Sequence, residues 1–345
     1  MKRFVVLAVA LSACASFANA QFKFKYCSID YPAGYGTVTR GINERGQIAG
    51  SYADQYGNLH AMLIQNDTFI PLAPTTVLGT EYSDAFKVND RGDVVGEVCD
   101  SVACHGFLLR NGVLTILDYP GAADTVAWGI NNSGEIVGWW DVYDSSGNLY
   151  EHGFRWKDGN FSELTFPGSG DTYAIGNNDL DVVVGGWDSG PTTTSEQGYA
   201  YWRGWWFSIE APFPDVAYTQ PNDINDFGLI VGEEYTPAEW EAYLGHGFLA
   251  FGRQYIQLNF PDAAGTTAWG INSFGEMVGN WFDSNGGTHG WVVRRREETC
   301  PSFQVQDSSQ LSSPQVLDSS QLSSTPVKPA AGRISVPGRL GMMRR

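Results

Sequence analysis

Histidine is scarce in this chain, with five copies in 345 residues. None of the five stands alone. His60, His105, His152, His246 and His289 each open a tripeptide His-Gly/Ala-Phe/Met/Trp. A histidine that recurs with a repeat belongs to the fold, which withdraws the side chain most often recruited for acid–base work. Also missing are Gly-x-Ser-x-Gly, His-Glu-x-x-His and the phosphate-binding Gly-x-x-x-x-Gly-Lys, the signatures of several hydrolase and nucleotide-binding classes. Positive charge is in short supply. Lys and Arg number 21 against 38 Asp and Glu, a net charge of −17, and the acid excess falls in residues 21–300. That argues against nucleic acid and against an anionic membrane surface as partners. The one long apolar run, Phe4 to Ala13, is too short to span a bilayer.

That run belongs to an export signal over residues 1–20. Lys2 and Arg3 precede it, and Ala18-Asn19-Ala20 offers a small-residue cleavage site. Leu11-Ser12-Ala13-Cys14 matches a lipoprotein cleavage box, so lipid anchoring through Cys14 is the alternative. A signal ending at residue 13 would be short, which favours cleavage after Ala20 and a secreted or periplasmic destination.

The repeat has a second anchor. An Asn is followed seven residues later by a Gly at Asn43/Gly50, Asn89/Gly96, Asn131/Gly138, Asn178/Gly185, Asn225/Gly232 and Asn272/Gly279. Thr37, Ser83, Thr125, Thr172, Thr219 and Thr266 each precede that Asn by six positions. A period near 45 residues fits propeller blades or helical arrays, and the local pattern is strand. In the third unit, residues 125–131, 135–140, 151–156 and 161–166 are short runs rich in aromatic and β-branched residues, separated by Asn/Gly/Asp turns. Four strands fill the period and leave no room for a helix. The expectation is an all-β, six-bladed β-propeller of four-stranded blades.

The sixth unit lacks its last strand, and a matching piece, Ile29-Asp30-Tyr31-Pro32, precedes the first. The N-terminal strand should therefore complete the last blade and remove the open sheet edges. Beyond Cys14, four cysteines allow three pairings. Only Cys27–Cys300 with Cys99–Cys104 fits a closed ring, and both bridges imply an oxidising compartment. Residues 301–345 break the pattern. Residues 304–313 are nearly copied at 315–324, and Ser, Gln and Pro dominate a segment whose end is basic. Such a stretch cannot bury enough apolar area to order itself and is expected to be a disordered tail.

These residues also resemble a family. Gly-Ile-Asn-x-x-Gly-x-Ile/Val-Val/Ala-Gly followed by His-Gly/Ala-Phe is similar to the HAF repeat of bacterial extracellular proteins, across roughly residues 37–293. Unit 1 reads His60-Ala61-Met62. Unit 4 departs most, with Gln197-Gly198-Tyr199 and a one-residue shift at Asn177-Asn178. The resemblance implies an exported repeat protein and brings no activity, substrate or catalytic residue with it.

Function in a repeat protein should lie where copies differ. Equivalent histidines stand on different blades, too far apart to meet at one metal ion. They are expected to be buried and to bond a backbone carbonyl or the neighbouring turn. On the inner strands, Lys87 and Asp223 replace a recurrent Gly, and Arg40 stands where Trp128 and Trp269 stand in other units. These three charges point to a polar channel site or, as the plainer reading, to structural ion pairs. The loops between second and third strands carry Tyr52 and Asp54, Trp140 and Asp141, Trp187 and Asp188, and Trp281 and Asp283. The longest, Glu233 to Gly245, contains the capping box Thr236-Pro237-Ala238-Glu239, which predicts a short helix displaying Trp240 and Tyr243. Aromatic groups beside carboxylates suit a glycan or an extracellular protein partner; packing between blades is the plainer role for the Trp and Tyr. The alternative is an enzyme acting on polysaccharide, with Asp141, Asp188 and Glu234 as acid and base. No cofactor is implied. The loops Asp-Ser-Ser-Gly-Asn and Asp-Ser-Asn-Gly leave Ca2+ open, without the full acidic spacing of a calcium loop.

Overall fold

The computed structural model describes residues 24–32, 34–72, 74, 82–190, 195–242, 244–294 and 299–306, and the backbone of 315–317. The export signal lies outside these residues. The strands form six antiparallel blades, each four strands deep from the axis outward. Blade 1 comprises β2 (Gly36–Ile42), β3 (Ile48–Ala53), β4 (Leu59–Gln65) and β5 (Thr68–Pro71), and blade 2 comprises β6 (Tyr82–Val88), β7 (Val94–Cys99), β8 (Cys104–Arg110) and β9 (Val113–Leu117). Blade 3 is built from β10 (Thr125–Ile130), β11 (Ile136–Tyr143), β12 (Leu149–Lys157) and β13 (Asn160–Glu163). In blade 4 the strands are β14 (Asp171–Asn177), β15 (Val182–Asp188), β16 (Gln197–Trp202) and β17 (Trp205–Ile209). Blade 5 has β18 (Tyr218–Ile224), β19 (Leu229–Tyr235), β20 (His246–Phe251) and β21 (Gln254–Leu258). Blade 6 has β22 (Gly265–Ile271), β23 (Met277–Phe282) and β24 (Thr288–Val293), and its outer strand is β1 (Tyr26–Ile29) from the start of the described chain. The fold is a six-bladed β-propeller closed by its N-terminal strand.

The recurrent residues explain the closure. Each repeat Asn accepts two amides of its own turn through Oδ1, as Asn131 does from Ser133 and Glu135 at 3.0 Å. Its Nδ2 donates to the carbonyl of the next repeat Asn. The bonds run Asn43 to Asn89 (2.9 Å), Asn89 to Asn131 (3.2 Å), Asn131 to Asn178 (3.1 Å), Asn178 to Asn225 (3.1 Å), Asn225 to Asn272 (3.0 Å) and Asn272 back to Asn43 (3.1 Å). The circle is complete. In four units the repeat Thr hydroxyl accepts the amide six residues upstream, at the turn between blades, as Thr125 does from Tyr119 at 3.0 Å. The paired Gly lies under a bulge of the inner strand; a Cβ on Gly138 would meet the Val126 carbonyl at 1.9 Å.

The core sits between blades rather than at one centre. Cys27, Ile29 and Val292 of blade 6 pack on Ile42, Met62 and Phe69 of blade 1, and Phe154 and Ile136 of blade 3 meet Val95 and Leu117 of blade 2. Each such side chain contributes about 1.5–3 kcal/mol on burial. Both disulfides form as expected, Cys27–Cys300 across the closing blade and Cys99–Cys104 between β7 and β8. The capping box opens α1 (Pro237–Ala242), with the Thr236 amide donating to Glu239 at 2.8 Å and the Glu239 amide to Thr236 at 3.3 Å. Tyr243 lies outside the described residues.

The tail departs from expectation. β25 (Gln304–Val305) adds in parallel to β5 of blade 1, and β26 (Gln315–Leu317) adds in parallel to β9 of blade 2. The two near-identical tail segments thus each supply a short strand to one of two successive blades. Backbone pairing on an open sheet edge orders a polar segment that has no core of its own. The remaining residues beyond 306 lie outside the described ones.

Candidate functional site

Each inner strand ends on its repeat Asn at one face of the disc, here the Asn face. The loops between second and third strands and the turns between blades lie at the other, the Pro face. Below the Asn ring, Ile42, Val88, Ile130, Ile224, Ile271 and Asn177 line the channel. The next level is barred by an ion pair between Lys87 Nζ and Asp223 Oδ2, reaching across the axis from blades 2 and 5. Gly41, Gly129, Gly176 and Gly270 hold the equivalent places, and there a neighbouring blade approaches so closely that a Cβ on Gly129 would lie 2.6 Å from the Ile175 carbonyl.

One level deeper the channel is filled by rings. Phe86 stacks on Trp128 at 3.9 Å, and Trp128 lies 5.5 Å from Trp269. The Arg40 guanidinium lies over Trp269 at 4.6 Å and Trp128 at 5.3 Å, within cation–π range. Its Nη2 donates to Asp84 at 3.2 Å, while its Nε is buried without a partner. Arg40, Lys87 and Asp223 are thus stacked along one axis, and all three are ion-paired.

On the Pro-face side of Arg40 the inner, second and third strands carry a chain of buried carboxyls and phenols. Arg40 acts on Glu233 and Tyr235 of blade 5, and the Tyr235 hydroxyl donates to Glu233 at 3.0 Å. Glu196 acts on both Tyr235 and Tyr173, and the Tyr173 hydroxyl donates to Glu151 at 2.7 Å. Glu151, Asp124, Glu97 and Asp171 surround Asp141. Tyr82 closes the sequence by donating to Glu97 at 2.8 Å. Burial first, then the charges of those four neighbours, push the Asp141 carboxyl up to about 9; its Oδ1 is buried without a partner. Burial raises Glu233 to about 7 against the opposing Tyr235 hydrogen bond and the Arg40 charge. Arg40 acts directly on two of these carboxyls, Asp84 and Glu233, and Asp188 joins the same linked cluster through Tyr173. A protonated carboxyl donates as well as accepts, so this cluster offers both hydrogen-bonding senses out of bulk water.

The loop residues expected on an exposed rim are placed otherwise. Asp141, Asp188 and Glu234 are 4 %, 2 % and 1 % exposed. They stand near the Pro-face ends of second strands. Asp188 accepts the Gly190 amide at 2.6 Å, and Glu234 accepts Gln257 Nε2 at 2.7 Å. The tryptophans are stacked. Trp140 stacks on Tyr119 at 4.3 Å and lies against His152, Trp187 stacks on Phe166 at 4.3 Å, and Trp240 stacks on Tyr218 at 4.2 Å. Trp281 repeats the motif between Phe260 and His289, as does Tyr52 between Tyr31 and His60. For Tyr52, Trp140 and Trp281 the aromatic residue before the Pro turn supplies one slice and the repeat His the other; Trp187 and Trp240 stack on one ring, Phe166 and Tyr218.

The histidines are half-buried at the edge of the Pro face, and their partners are carboxylates and an amide rather than backbone carbonyls. His60 meets Asp54 (3.1 Å), His105 meets Asp118 (2.8 Å), His246 meets Asn259 (2.7 Å) and Glu239 (3.1 Å), and His289 meets Asp30 (2.6 Å). His152 has only its Trp140 contact and an unpartnered Nδ1. Each histidine lies near the start of a third strand. Among the described residues, the metal-competent grouping Glu97, Cys99 and Cys104 has both sulfurs in a disulfide. Asp144 and Asp283 of the two Ca2+-like loops each bond their own turn's amides.

No family model matches this chain, and no curated protein matches it. Solved propellers do. Aleuria aurantia lectin, described as a six-bladed β-propeller with a fucose recognition mode, is 10 % identical over 77 % of this chain and 93 % of that one, with a TM-score of 0.47. AofleA from Arthrobotrys oligospora is 13 % identical over 81 % and 89 % of the two chains (TM-score 0.47). The β-propeller domain of the Trilobed protease from Pyrococcus furiosus is 10 % identical over 78 % and 84 % (TM-score 0.46). Likeness at this level carries no argument about ligand or chemistry.

Sequence reasoning passed over Asp84, Glu97, Asp124, Glu151, Asp171, Tyr173, Glu196, Glu233 and Tyr235. A signal was present. Asp124 and Asp171 directly precede repeat threonines, and Glu97 and Glu233 stand eight residues after a repeat Asn, where other units have Ser51, Trp139, Gly186 and Asn280. Acids at second-strand positions that carry uncharged residues in the other units mark the cluster.

Proposed function

We propose that this is an exported binding propeller that takes an extracellular glycan at the Pro-face mouth. The observation behind this reading is Arg40, buried over aromatic rings with an unpartnered Nε, beside a linked cluster of buried carboxyls and phenols. Sugar hydroxyls donate to carboxylates and accept from guanidinium and protonated carboxyls, so one ligand class satisfies both senses. Export is supported by the basic-apolar-small start of the sequence, by two disulfides and by the resemblance to HAF repeats. Among the described residues no helix is long and apolar enough to cross a membrane. Intact mass of the mature protein separates cleavage after Ala20 from lipidation at Cys14.

The test is a glycan-array screen followed by calorimetric titration of the best hit. Glu233→Gln keeps shape and removes the titratable group; it is expected to weaken binding about tenfold, or ~1.4 kcal/mol, while the variant keeps a single cooperative unfolding transition whose melting temperature falls less steeply as pH rises through 7. A blank array, or equal affinity in the variant, removes the reading. An enzyme acting on polysaccharide is a second reading, favoured by the high Asp141 carboxyl beside Glu151, since paired acids with separated pKa values suit acid–base roles. Reducing-sugar release that disappears in Asp141→Asn would establish it.

A further inference from the structure

The Asn face carries a second, different surface. The residue after each repeat Asn forms a collar around the channel opening: Glu44, Asp90, Asn132, Asp179, Asp226 and Ser273. Backbone amides of Glu44, Asp90, Asn132 and Asp179 donate to the next collar side chain at 2.7–2.9 Å, and Ser273 donates back to Glu44 at 2.7 Å. The collar holds four carboxylates. Lys87 below them is paired with Asp223. Asn177, 4 % exposed, lines the same funnel, and its Oδ1 has no partner.

Outside the collar, the residue two after each repeat Asn differs by blade. Blades 1 and 2 have Arg45 and Arg91, and blade 3 has Ser133. Blades 4, 5 and 6 have Leu180, Phe227 and Phe274, exposed by 57 %, 69 % and 53 %. Three large apolar side chains at equivalent positions of consecutive blades make one crescent beside an acidic funnel. Apolar exposure grouped in this way marks a docking surface.

The sequence contains a segment of matching chemistry. Beyond β26, residues 318–345 hold Lys328, Arg333, Arg339, Arg344 and Arg345 against the single acid Asp318. Residues 339–345 read Arg-Leu-Gly-Met-Met-Arg-Arg, which alternates cations for the funnel with flexible apolar groups for the crescent. β26 is anchored on the outer edge of blade 2. Five strands at about 4.8 Å spacing put that edge roughly 20 Å from the inner strand. Residues 318–338 extend to about 70 Å. β26 runs parallel to β9 and so leaves toward the Pro face; residues 323–332 are rich in Ser, Pro and Gly, the residue types that suit a reversal of the chain.

We propose that residues 339–345 dock in cis on the Asn face, with an arginine in the acidic funnel and Leu340, Met342 and Met343 on the Leu180–Phe227–Phe274 crescent. The tether favours the intramolecular partner through effective concentration in the millimolar range. This inference is independent of the glycan reading, which concerns the opposite face.

Hydrogen exchange of the full chain against a variant lacking residues 338–345 tests it. The turn amides of residues 178–181, 225–228 and 272–275 are expected to exchange several-fold more slowly in the full chain. A synthetic peptide of residues 334–345 should restore that protection to the deletion variant, less so at high salt. Phe227→Ser with Phe274→Ser, at exposed turn positions outside the core, should abolish it. Equal exchange in both proteins, or protection that rises with protein concentration alongside a dimer mass, overturns docking in cis.

Discussion

At the scale of single residues, the repeat Asn joins its own turn to the next blade. Asn131 bonds two amides of its own turn and the Asn178 carbonyl of the next blade. Asn131→Ala leaves buried donors and acceptors unpaired and is expected to cost about 1–3 kcal/mol in urea unfolding. Exchange at one of the exposed neighbours, such as Leu180, should cost much less. The histidines act at the same scale but through charge. Hydrogen bonding to Asp118 raises His105 despite its burial, with Asp100 adding to the effect. Stability from that contact is present below the ordinary histidine range and is lost as pH rises through the raised value.

Among the elements, the short strands of the tail are the least secured. β25 is held by the Gln304 amide on Asp67 and the Gln306 amide on Phe69, both at 2.9 Å, with Phe303 against Phe69. Gln306→Pro removes one of these bonds for roughly 1 kcal/mol. The expected result is faster limited proteolysis after residue 300, with the melting temperature of the disc unchanged. The helix α1 is a contrasting case. Its capping box also offers Glu239 to His246 at 3.1 Å, so six residues of helix are joined to β20.

For the whole molecule, two linkages set stability. Cys27–Cys300 joins positions 273 residues apart, while Cys99–Cys104 spans 5. In the chain-entropy model the long bridge restricts the unfolded chain by on the order of 5 kcal/mol. Replacing its two cysteines by Ser is expected to lower the denaturation midpoint much more than the same change at Cys99 and Cys104. The second linkage is pH. Asp141, raised to about 9, and Glu233, raised to about 7, hold protons in the folded state that the unfolded chain releases near 4. Their contribution is present at low pH and is lost as pH rises toward 9. Asp54 shifts the other way: against desolvation, His60 and the turn amides pull it down to about 2, and its contribution is lost as pH falls below the ordinary carboxylate range. Thermal melting should therefore peak at about pH 4–5. Asp141→Asn should flatten the alkaline limb and raise the melting temperature at pH 8.

The fold was legible because it is written in local repeats. Asn-x6-Gly, the upstream Thr and the His-Gly-Phe unit each serve a turn, a bulge or a joint between blades, and their recurrence fixes blade number, strand number and closure. The capping box and both disulfides follow from equally short-range patterns or from closure itself. The candidate site was not legible in this way. Loop tryptophans looked available because sequence does not record that an aromatic residue from the preceding blade covers Trp140 and Trp187. Asp141 looked like a rim acid because sequence does not show that it is buried among the charges of Glu151, Asp124, Glu97 and Asp171, drawn from three blades. Periodicity belongs to one chain segment and survives in a string of letters. Charge density and burial arise only when distant strands converge on an axis, and that convergence was decided by the closed ring.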